Sequence, residues 1–112
     1  MTAQQHIDAG DNIVAPGFID THTHACNDFG QDKSNLNLNY TTQGVTTVFC
    51  SVDGGGPVDV AGKFAEYEAQ GIGTNVAMYI GHGSVRKAVM GKENRPASDN
   101  ELTQMKTLVE QA

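Results

Sequence analysis

Apolar, β-branched runs alternate along this chain with glycine, proline and asparagine punctuation and with stretches of helical spacing. The first run, Ile13-Val14-Ala15-Pro16-Gly17-Phe18-Ile19-Asp20, is broken by Pro16 and Gly17, which places a strand over residues 18–24. A second strand is expected over 45–52, where Thr46, Thr47, Val48 and Phe49 favour extended backbone. A third is expected over 75–80, where Val76, Met78 and Ile80 alternate. Helices are expected between them. Residues 33–43 carry Leu36 and Tyr40 one turn apart and stop at Gly44. Residues 58–70 place Val60, Phe64 and Tyr67 at i, i+4 and i+7, with Pro57 before and Gly71 after. Residues 99–112 follow a capping box, Ser98-x-x-Glu101, and carry the stripe Leu102, Met105, Leu108, Val109.

Strand starts recur about every 30 residues, the length of a β-α-β unit. The chain is therefore read as α/β, with a parallel sheet and helices outside it. A complete (β/α)8 barrel needs about 250 residues. A chain of 112 supplies at most its first three β-α units, and the last helix still runs at Ala112. The chain is thus expected to be a piece of a longer protein. Its open strand edge and the faces of Val48, Val76, Met78 and Ile80 would then lack their usual cover.

Composition narrows the partners. Charged residues are 18% and the formal net charge is −6, which speaks against a phosphate-backbone partner. No apolar run reaches the roughly 20 residues that span a bilayer, and residues 1–11 carry no apolar signal core. Cys26 and Cys50 do not form a disulfide framework and are read as two reduced, partly buried thiols. A cytoplasmic location follows from these expectations.

Candidate chemistry centres on Phe18-Ile19-Asp20-Thr21-His22-Thr23-His24. On a strand, residues i and i+2 share a side, so His22 and His24 project together with Thr23 opposed. Two such imidazoles can reach one metal ion, the alternative being solvated or core histidines. Asp20 is read as a hydrogen-bond acceptor. Cys26 and Asp28 follow on the same side and border any pocket there. Asp53 precedes Gly54-Gly55-Gly56, where ordinary turn chemistry is the competing explanation. His82 lies between Gly81 and Gly83 just past the third strand, and Arg86 offers a bidentate partner for a carboxylate.

Val14-Ala15-Pro16-Gly17-Phe18-Ile19-Asp20-Thr21-His22-Thr23-His24 resembles the first barrel strand of the amidohydrolase superfamily. Tyr40-x-x-Gln43-Gly44-Val45-Thr46-Thr47-Val48 and Gly81-His82-Gly83-Ser84-Val85-Arg86 resemble the N-acyl-D-amino-acid deacylase (D-aminoacylase) branch, as does Glu101-Leu102-x-x-Met105 with Leu108. The resemblance runs from about Asp8 to the end. It implies a TIM-like barrel beside a small β-sandwich. Residues 1–16 would be the sandwich end and lead-in, and 17–112 the partial barrel. It implies zinc, one or two ions, held by His22 and His24. The branch's further ligand after strand two is often a cysteine; here the register falls on Asp53, and Cys50 lies three residues earlier, so its replacement is expected to be neutral for metal occupancy and rate. His82 and Arg86 are candidate contacts for a small N-acyl amino acid, the alternatives being a loop histidine bonded to backbone and a solvated surface arginine. The general base and remaining ligands would lie downstream, leaving the isolated piece inactive. A cyclic-amide hydrolase of dihydroorotase or hydantoinase type shares the first motif, and a non-catalytic α/β piece is the third alternative.

Overall fold

The computed structural model describes residues 3–30 and 34–112. Three short strands, β1 (Phe18–Asp20), β2 (Val45–Cys50) and β3 (Asn75–Met78), form one sheet in the order β1-β2-β3. Both pairings are parallel, as the spacing of the apolar runs requires. Helices α1 (Leu38–Thr41), α2 (Val60–Gln70), α3 (His82–Met90) and α4 (Asp99–Gln111) alternate with them, and a 3-10 turn spans Ala25–Asn27.

The register places Val48 beside Val76 and Cys50 beside Met78. These four side chains therefore share one face. Val48 and Cys50 are fully enclosed there by Tyr67 of α2, Ala25 and Phe29, with Phe64, Val76 and Met78 at the margin. This corrects the expectation that Val48 lies on an uncovered face: strand alternation puts it under α2 instead. Phe49 and Tyr79 meet on the opposite side with ring centres 5.5 Å apart.

Two glycines set the sheet entry. A Cβ on Gly17 would collide with the Thr46 side chain, so only glycine lets β1 approach β2 there. Gly44 takes φ +83, the left-handed turn that ends α1 and starts β2.

Four further sequence expectations change, besides the second and third strands ending two residues short of 52 and 80. The strand expected over 18–24 ends at Asp20, because the backbone turns immediately afterwards. The helix expected over 33–43 is a single turn at Leu38–Thr41, and its first expected residue lies outside the described residues. Asparagines explain the loss. Asn35 accepts from the Gly30 amide at 2.7 Å, and Asn37 sits at φ 50 with its amide on Thr74 at 3.2 Å. Side-chain bonds of this kind compete with helical backbone bonds. A helix not expected at all, α3, occupies His82–Met90 and ends at Gly91 with φ 66.

The cysteines are the fourth change. Cys26 and Cys50 are joined as a disulfide, with Cα atoms 5.9 Å apart, where two reduced thiols were expected. The turn after β1 folds over the end of β2, a juxtaposition across 24 residues that spacing alone does not reveal. It also removes the thiol argument for a reducing compartment. No helix among the described residues is long and apolar enough to cross a membrane.

Candidate metal centre

The site begins with a residue that points away from it. Thr23 is buried, its hydroxyl bonded to the Tyr40 hydroxyl and accepting from the Ala25 amide at 3.1 Å. Asp20 tightens the turn before it by accepting from the His22 amide at 3.1 Å. With Thr23 anchored inward, His22 and His24 are driven outward. They share a side as expected, yet they stand on the turn beyond β1 rather than on the strand.

The opposing wall comes from the end of β2. Ser51 holds the left-handed value φ 63 and Gly54 φ 76, and between them the chain presents Asp53. Gly56 must be glycine, since a Cβ there would strike the Ser51 hydroxyl. Asp53 Oδ2 lies 2.9 Å from His24 Nε2, and Oδ1 lies 3.4 Å from His22 Nε2. The imidazole rings are nearly perpendicular, 76° between planes with centres 6.4 Å apart. One ligand atom from each of the three residues falls within 4.8 Å of the other two. Among the described residues this is the group of histidine, cysteine and carboxylate side chains so gathered.

The chemistry of the donor set fits a zinc-type ion. Two imidazole nitrogens and a carboxylate are what such an ion takes when it keeps a further position open. All three side chains are more than half exposed, so solvent reaches the centre. A cavity of about 260 Å³ adjoins it, lined by Thr23, His24, Asp53, Gly55, Lys63 and Tyr67. Lys63 pairs with Glu66 at 2.8 Å and lies 4.9 Å from the Tyr67 ring centre. The Lys63 ammonium holds the Glu66 carboxyl below its ordinary value, and burial pushes the Tyr67 phenol up.

The other two expected site residues stand apart from this group. His82 is the exposed first residue of α3 and borders a groove between α3 and α4 with Ile80, Val85 and Met105. Arg86 is committed elsewhere: its guanidinium donates to the backbone carbonyls of Glu93 at 3.0 Å and Arg95 at 2.7 Å. Thr23, Tyr40 and Ser84 are supporting residues to which the sequence assigned no such role. A threonine between two outward histidines was the available signal for the first.

No family model matches the sequence, and no solved structure matches it. Curated proteins of Alcaligenes xylosoxydans xylosoxydans do. The chain is 32% identical to a D-aminoacylase, over 98% of its own length and 27% of the relative's. It is 33% identical to an N-acyl-D-glutamate deacylase over the same shares, and 32% identical to an N-acyl-D-aspartate deacylase over 95% and 26%. Across nearly its whole length the chain is similar to the D-aminoacylase family. It spans about a quarter of the length of these D-aminoacylase relatives. The similarity covers the β1 turn, the Asp53 loop and α3 alike, so the candidate centre lies within the D-aminoacylase-like sequence.

Proposed function

We propose that the protein carrying this chain is a zinc-dependent hydrolase that removes the acyl group from N-acyl-D-amino acids. The observation that carries the reading is the convergence of His22, His24 and Asp53 from two separate β-strand ends. The named activities of three relatives point to the same bond, the amide between an acyl group and a D-amino acid. The parallel sheet of three strands is consistent with the opening units of a (β/α)8 barrel, whose strand C-termini carry the reactive groups. In that frame residues 1–16 lead in from a β-sandwich, and the later strands supply the general base and the remaining ligands.

His22 and His24 each turn Nε2 toward the centre, and to ligate an ion there each ring would carry its proton on Nδ1. Asp53 supplies negative charge and a second oxygen, enough to serve one ion or to lean toward a second. A zinc ion held there would polarise the scissile carbonyl and ease deprotonation of water at neutral pH. The adjoining cavity gives the acyl amide a solvent-connected approach to that position.

The test is turnover by the whole protein on N-acetyl-D-amino acids, their L-enantiomers and cyclic amides, before and after chelation. Hydrolysis of the D-substrates, lost on chelation and restored by zinc, is expected. Chelator-insensitive turnover, or preference for cyclic amides, would overturn the proposal.

A further inference from the structure

The Asp53 loop is held from a third element. Beyond Asp53 the chain runs through Gly54, Gly55 and Gly56, a stretch with no side chains of its own to fix it. The start of α3 docks on it. The Ser84 amide donates to the Gly54 carbonyl at 3.2 Å, and the Ser84 hydroxyl donates to the Gly56 carbonyl at 2.7 Å. The approach is close enough to dictate composition on the α3 side. A Cβ on Gly81 would collide with the Gly55 carbonyl, and one on Gly83 would lie 2.8 Å from the Gly54 oxygen. The segment Gly81-His82-Gly83-Ser84 is therefore shaped to grip three consecutive glycines. Just before the loop, the Tyr79 amide donates to the Cys50 carbonyl at 3.1 Å, so the restraint begins at the strand and is completed by Ser84.

We infer that Ser84 is a positioning residue for the metal centre: through the Gly54 and Gly56 carbonyls it holds the Asp53 carboxylate opposite His22 and His24. The inference rests on the reading of that triad as a metal centre. The physical argument concerns entropy. A triglycine run has the widest backbone freedom of any sequence, and ordering it costs the most. Two hydrogen bonds from one rigid helix start remove that freedom at the residue next to the ligand. A ligand held in place binds metal more tightly than one that must be ordered on binding, the effect expected of supporting hydrogen bonds around a metal.

The test compares Ser84→Ala, Ser84→Thr and Gly83→Ala with the unaltered protein, by zinc competition against a chromophoric chelator and by amide hydrogen exchange of the metal-free protein. Ser84→Ala removes the hydroxyl bond and should weaken zinc binding about fivefold, the worth of one ordinary hydrogen bond. Exchange should quicken at residues 53–56 while β2 and β3 stay protected. Ser84→Thr keeps the hydroxyl and should restore both. Gly83→Ala, which forces the same contact apart from the backbone side, should reproduce the Ser84→Ala pattern. In an Asp53→Ala background, Ser84→Ala should change zinc affinity no further, because the residue acts through Asp53. An equal loss in that background, or unchanged exchange at 53–56, overturns the inference. If the unaltered protein takes up no zinc, the metal reading falls, and exchange at 53–56 alone decides whether Ser84 holds the loop.

Discussion

A single buried threonine sets the geometry of the centre. Because the Thr23 hydroxyl is bonded inward to Tyr40, the residues on either side of it have no route but outward. The sequence placed His22 and His24 on one side by strand alternation; they do share a side, but on a turn beyond β1 and because Thr23 is held inward. Asp53 was legible only through register with a family pattern; nothing in the local sequence says that its carboxylate reaches two histidines. Replacing His22 and His24 together by alanine should abolish zinc uptake by the whole protein, and Asp53→Ala should lower its affinity by at least tenfold, read by competition titration. Cys50 provides the contrast. It is enclosed and disulfide-bonded, so its replacement, expected to be neutral for the metal, should nonetheless cost stability. Cys50→Ser should cost about 3 kcal/mol of stability in thermal melts, the usual worth of a bridge closing a loop of this size. Zinc stoichiometry should be retained under conditions where that variant stays folded.

At the scale of elements, the strands and two of the helices follow from pattern, and the departures have local causes. The α2 start is fixed by Asp59, whose carboxylate accepts from the Gly62 amide at 2.8 Å, two residues later than Pro57 implied. The capping box of α4 is present as the sequence predicts. α3 was hidden because Gly81 and Gly83 read as loop, whereas they are glycines for contact with the Gly54–Gly56 turn. Val85 and Val89 one turn apart, with Gly91 beyond, were the signal that could have shown it. Ser98→Ala should destabilise α4 by about 1 kcal/mol, measured by thermal unfolding. Acid should act on the same place. Arg95 first, and then Ser98, hold the Glu101 carboxyl well below its ordinary value of 4.5. A depressed carboxylate contributes stability above its unfolded value, and that contribution is lost as pH falls through the folded one. Helix content should therefore be constant from neutrality down to about pH 5 and decline below it. Glu101→Gln should flatten the decline, as followed by circular dichroism.

On the scale of the whole molecule, the described chain is open. Its Cα radius of gyration is 18.9 Å, where a compact domain of about 100 residues has about 13 Å. Phe18, Ile19, Tyr79 and Val109 are each close to half exposed or more, and the segment before β1 leaves Ile13 and Val14 uncovered. The apolar stripe on α4 is only partly covered, with Leu102 at 44% exposure, because α3 is its partner and the sheet is not. Surfaces of this kind belong against further structure. Expressed alone, residues 1–112 should elute from size exclusion as an oligomer or aggregate and show no deacylation with added zinc. A monodisperse, active monomer would contradict that expectation. The parallel order of the strands was legible from their spacing; which face each strand buries was not, because both faces of a parallel strand are apolar.

The proposed hydrolysis requires that His22, His24 and Asp53 hold one ion together. The measurement that tests this is zinc content per chain in the purified whole protein, by inductively coupled plasma mass spectrometry, for the unaltered sequence and for the His22→Ala, His24→Ala, Asp53→Ala triple variant. Zinc present in the first and lost from the correctly folded second is the predicted result. Equal zinc in both would contradict it.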